Sequence, residues 1–118
     1  MSYLLLIVEP RGQRTVRDEE EGRRLYAEMV AFGDTLREQG ILRATESLRP
    51  DEHGVRVQRE AGRVQLRDGP FAEAKEMVGG FFLIDVASRD EAVEIASRCP
   101  AAAFATVEVR ECAPCYVK

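Results

Sequence analysis

Along this chain the apolar positions switch between two periods, and the switches mark out its elements. Tyr3 to Val8 is a continuous apolar run closed by Glu9-Pro10, which predicts a strand buried on both faces. From about Glu19 to Gln39 the period becomes helical, with Leu25, Met29, Phe32 and Leu36 falling on one stripe. Asp18 and the glutamates after it suit the positive end of that helix, and Gly40 suits its C-terminal cap. Ile41 to Leu48 reads as a second strand, stopped by Pro50. A hairpin follows: Val55 and Val57 alternate with Arg56 and Gln58, Glu60-Ala61-Gly62 turns, and Val64 and Leu66 alternate with Gln65 and Arg67. One hairpin face is apolar and the other strongly polar. Phe81 to Val86 is a second buried run. Ser88-Arg-Asp-Glu91 fits a capping box opening a helix that turns Ala92, Ile95, Ala96 and Cys99 inward and stops before Pro100. Phe104 to Arg110 is the last strand.

The order strand, helix, strand, hairpin, strand, helix, strand predicts an α+β fold. It is a ferredoxin-like protomer with an antiparallel sheet, two helices on one face and an inserted β-hairpin, in a single domain over 1–118. Two helices cover one sheet face, whereas the runs Tyr3–Val8 and Phe81–Val86 ask for burial on both. A large exposed apolar face is rarely tolerated on a monomer, so a homodimer closed over the open face is expected.

Composition narrows the function classes. With 45% hydrophobic and 32% charged residues, the 118-residue chain is ordinary globular material. The net charge of −4, the arginines interspersed with acids and the lack of tryptophan argue against direct nucleic-acid binding. No apolar run approaches the roughly 20 residues of a membrane span, so no membrane partner is expected. The opening residues lack a basic n-region and meet Glu9-Pro10 too early for a signal peptide, which predicts a cytoplasmic protein.

Between the hairpin and the second buried run lies Asp68-Gly-Pro-Phe-Ala-Glu-Ala-Lys-Glu-Met-Val-Gly79-Gly80. Read as a loop, it is long for a compact domain, and loops of that length are commonly functional. Gly69-Pro70 is a turn and Asp68 is suited to accept backbone amides. Phe71 and Met77 are apolar anchors, Glu73–Met77 is compatible with one helical turn, and Gly79-Gly80 permits unusual backbone angles.

The run DGPFAEAKEMVGGFFLID closely resembles the signature of the DGPF proteins, a branch of the YCII-related superfamily. The resemblance extends to the LLLIVEP start, FGDTLREQGIL with the following ESLRP, DEAVEIASRCP and VEVR. It implies a dimeric α+β barrel, and for some members a companionship with extracytoplasmic-function sigma factors. For the wider superfamily it also implies an acid–base pair: a histidine on the first helix and an aspartate in an Asp-Pro pair after the second. This chain departs from both. Its single histidine is His53, in a polar loop, and the pair after the second helix is Cys99-Pro100.

The candidate ligand-binding residues are therefore those of the segment itself: Asp68, Gly69, Pro70, Phe71, Glu73, Lys75 and Glu76, with Asp68 and Lys75 as catalytic candidates. Carboxylates and an ammonium set in a cleft can bind a polar ligand or do acid–base work. Turn geometry for Asp68, and a solvated face for Glu73, Lys75 and Glu76, are the structural alternatives. Glu46, ending the second strand, is a strand-edge charge or faces the same cleft. Phe71, Phe81 and Phe82 are core or interface residues, or aromatic contacts to a ligand. Cys112-Ala-Pro-Cys115 follows a strand and lacks the helix N-terminus of a redox site and the four ligands of a zinc site. No metal set and no cofactor are read from the chain. The expected function is binding of a small polar ligand in a cleft near Asp68–Gly80, with acid–base chemistry as its extension. The alternative is a non-catalytic interaction module acting beside a sigma factor.

Overall fold

The computed structural model describes Met1 to Lys118. Its elements run β1 (Ser2–Pro10), α1 (Gln13–Val16), α2 (Glu19–Glu38), β2 (Leu42–Ser47), β3 (Val55–Glu60), β4 (Arg63–Asp68), β5 (Glu76–Asp85), α3 (Arg89–Arg98) and β6 (Thr106–Glu111), with short 3-10 turns at Asp51–His53 and Pro100–Ala103. Four strands form an antiparallel sheet in the order β2-β5-β1-β6, and β3 and β4 pair only with each other. This is the ferredoxin-like strand order, with the hairpin standing outside the main sheet.

The helices start where their caps dictate. Asp18 accepts the amide of Glu21 (2.7 Å), three acids follow in the first turn, and Gly40 beyond the end of α2 takes φ 76°. At α3 the Ser88 hydroxyl accepts the amide of Glu91, while the Glu91 carboxylate reaches back to the amide of Ala87. Both helices lie on the face that carries Tyr3, Leu5, Ile7, Phe82 and Ile84, and Leu36, Ala92 and Ile95 close the core against them. Phe32 meets Phe82 edge-to-face at 5.2 Å.

Within one protomer β1 and β5 bury alternate residues, because the helices cover a single face: Leu4, Leu6, Phe81 and Leu83 on the opposite face, the one expected to meet a partner, stay half-exposed. Two expectations are corrected. The connection after the hairpin is shorter than Asp68–Gly80. Asp68 ends β4 and Glu76 already begins β5, which pairs with Pro10, so the loop proper is Gly69–Lys75. For the same reason Glu73–Met77 makes no helical turn; its second half is strand, held by the ladder to β1. Finally, α1 was not legible from any period. It is four residues long and follows Gly12, which takes φ 89°.

β5 carries a bulge. Ile7 faces Gly80 and Val8 faces Val78, so Gly79 is the extra residue.

Candidate functional site

The segment singled out by sequence is fastened by side chains from elsewhere. Arg11, just past β1, donates to both carboxylate oxygens of Asp51 and to the carbonyls of Phe71 and Ala74. Asp51 also accepts the amide of Phe71 at 3.3 Å. The backbone-binding carboxylate is thus Asp51, and no side-chain hydrogen bond ties Asp68 to the turn. The Arg11 guanidinium, with the Phe71 amide behind it, holds the Asp51 carboxyl below the usual carboxylate range against its partial desolvation. Gly69, which precedes a cis bond to Pro70, donates its amide to Gly54 O at 2.9 Å, and a Cβ at Gly69 would collide with the Asp51 carbonyl.

Of the predicted site residues, the structure brings Phe71 and Glu73 together with two arginines. Phe71 is buried, Arg56 stacks over its ring at 3.8 Å, and Glu73 pairs with Arg67 (2.7 Å) and Arg56 (3.4 Å). Its own backbone amide and then Arg67 draw the Glu73 carboxyl below its ordinary range. Phe71 and Glu76 border a side cavity of about 510 Å3 that also includes Arg11, Asp51 and His53. Asp68 and Lys75 are exposed and lie outside its wall. Asp68 faces Val55 across the hairpin and shares a face with Val57 and Leu66. Cys112 and Cys115 are exposed in the tail, whereas Cys99 is buried in the core, where burial pushes its thiol up.

The larger cavity, about 670 Å3, opens between α2 and the sheet. Along α2 only Gly33 and Leu36 are buried, while Leu25 and Met29 are half-exposed. The cavity floor is apolar, from Ile7, Met29, Phe82 and Phe104, and the rim is charged. Gly79 and Gly80, the end of the singled-out segment, form part of the wall, as does Glu46.

The residue that sequence reasoning missed is Glu9. It continues the inward series Tyr3, Leu5, Ile7 and is only 4% exposed, yet it lines the cavity. Arg14, the second residue of α1, holds it: Nε lies 2.6 Å from Glu9 Oε1, Nη1 donates to Leu48 O (2.7 Å) and Nη2 to Gly79 O (3.2 Å). The Nε contact is a close ion pair without an aligned N–H, so the buried Oε1 has no directed donor. Gly79 makes room for this pair, because a Cβ there would sit 2.7 Å from both Glu9 Oε2 and Arg14 Nη2.

The model of the YCII-related domain matches residues 1–115. The chain belongs to the YCII-related domain family. An uncharacterised protein of Rhizobium meliloti (strain 1021) is 34% identical to this YCII-related chain over 96 residues, 81% of this chain and 77% of that protein. Among solved structures, 5-chloro-2-hydroxyhydroquinone dehydrochlorinase from Burkholderia phenoliruptrix AC1100, in complex with 2,5-dihydroxybenzoquinone, superposes with a TM-score of 0.53. It has 20% identity and covers 96% of this chain and 94% of that one. At that identity the likeness speaks for a shared fold.

Proposed function

We propose that this YCII-related protein is a homodimer that binds a small polar molecule in the cavity between α2 and the sheet, at the Gly79-Gly80 end of the Asp68–Gly80 segment. The observation that carries the reading is Glu9. A carboxylate kept almost wholly out of water is costly even when paired, and this one stands in the wall of an otherwise apolar-floored cavity. Its volume falls in the range of about 300–1,000 Å3 common for small-molecule sites, with an apolar floor beneath a charged rim. A dehydrochlorinase of the same fold holds a hydroxylated quinone, which supports a small cyclic oxygenated ligand as the first to try. The acid–base chemistry that such a ligand invites would fall first to the cavity carboxylates. Asp68, on the exposed apolar face of the hairpin, would enter through the dimer contact.

Calorimetric titration with 2,5-dihydroxybenzoquinone is expected to give saturable binding that Met29→Trp, which fills the apolar floor, abolishes without unfolding the protein. Light scattering is expected to give twice the protomer mass. A folded protein that binds no member of a panel of small hydroxylated rings, or whose binding ignores Met29→Trp, sinks the cavity reading.

A further inference from the structure

We propose that the cavity is bipolar and selects a small ring-bearing anion that also carries a hydroxyl donor, with the anionic group on Arg17 and the donor on Glu9. This rests on the cavity reading above and goes beyond it in naming the ligand's chemistry.

Four arginines line the cavity, and three have carboxylate partners: Arg14 with Glu9, Arg23 with Glu19, and Arg37 with Asp34. Arg17 has none. It is half-buried, and its guanidinium rests 5.1 Å from the centre of the Phe104 ring. A guanidinium against an aromatic face keeps its edge donors free, and a carboxylate or phenolate engages them better than water does. At the other pole, Glu9 is buried in the cavity wall: Arg14 Nε sits 2.6 Å from Oε1, the Arg14 terminal nitrogens donate to Leu48 O and Gly79 O, and Oε2 accepts no hydrogen bond. A buried acceptor in that state gains most from an incoming O–H and repels an anion. Ile7, Phe82 and Phe104 contribute the apolar surface that would hold the ring between the two poles. A ligand lacking the anion leaves Arg17 unmatched, and one lacking the donor leaves Glu9 unmatched.

The test is calorimetry on the full chain with 3- and 4-hydroxybenzoate, the matching methoxybenzoates, benzoate and phenol. One hydroxybenzoate is expected to bind roughly tenfold or more tightly than its methoxy counterpart, than benzoate and than phenol, the scale of one charge-assisted hydrogen bond. Arg17→Met breaks no ion pair. It is expected to bring that hydroxybenzoate down to the level of phenol while leaving phenol unchanged. Glu9→Gln, similar in shape and able to donate, is expected to erase the preference for hydroxyl over methoxyl. If the protein binds 2,5-dihydroxybenzoquinone but neither hydroxybenzoate preferentially, or if Arg17→Met changes nothing, the bipolar assignment is overturned and the cavity reading stands. If nothing binds in the cavity, both fall.

Discussion

Gly79 shows how one missing Cβ can hold a site open. The Glu9 carboxylate and the Arg14 guanidinium both occupy the space that any side chain at 79 would need. Gly79→Ala is expected to cost about 1–3 kcal/mol in urea denaturation, the range for overpacking a filled interior, and to weaken ligand binding alongside. A neutral result in both measurements would show that the pair can retreat. Asp51 acts at the same scale on the loop. Its carboxyl lies below the ordinary range because Arg11 binds the charged form, so its contribution to stability is present above the unfolded-state pKa. That contribution fades as pH falls through the lower folded-state value. Asp51→Asn is therefore expected to melt earlier than the parent near pH 7 and to differ from it less at about pH 3, read by thermal denaturation at both pH values. Glu9 was legible in the sequence to anyone who continued the two-residue period one step past Ile7. Closing the apolar run at Val8 hid it, because a charged residue before proline looks like a strand end. Arg14 and Arg17 gave no such signal, since α1 and its flank have no apolar period of their own.

The hairpin of β3 and β4 inverts the usual arrangement. Its polar face is covered by its own chain, with Arg56 and Arg67 against Phe71 and Glu73. Its apolar face is bare, with Val55, Val57, Val64 and Leu66 between 52% and 68% exposed. A lone two-stranded ribbon is marginal in water, which makes this face a second place for the proposed partner to rest. Val57→Lys with Leu66→Lys is expected to shift the light-scattering mass towards the protomer while the protomer's circular dichroism persists; an unchanged dimer would remove the hairpin from the interface. Alternation made the hairpin and its two faces readable. It did not show what either face would touch, because a period assigns residues to a side and says nothing of the neighbour. The start of β5 was misread for a related reason. Lys75-Glu76 and Gly79-Gly80 are poor strand formers locally, and pairing with β1 outweighed that preference.

The molecule as a whole is a slab of 46 × 42 × 20 Å with a radius of gyration of 16.1 Å. A compact chain of this length would measure about 13–14 Å. Both helices lie on one side, and Leu4, Leu6, Phe81 and Leu83 line the other. Half a barrel has these proportions. Two protomers joined through that face, each with its hairpin laid on the other, are expected to scatter X-rays as a particle of twice the mass with a radius of gyration of only about 17–18 Å, the size of a compact globule of that length. A value well above this would mean that the slabs associate edge to edge instead.

The sheet needs one residue fewer than β5 supplies. Without Gly79, Val78 and Gly80 would follow one another opposite Val8 and Ile7 in an unbroken ladder, with every later side chain still on its present side. Folding instructions and site instructions are therefore written in different letters of the same strand. The loss of that one residue would leave the strand pairing intact and alter only the stretch of wall against which Glu9 and Arg14 sit.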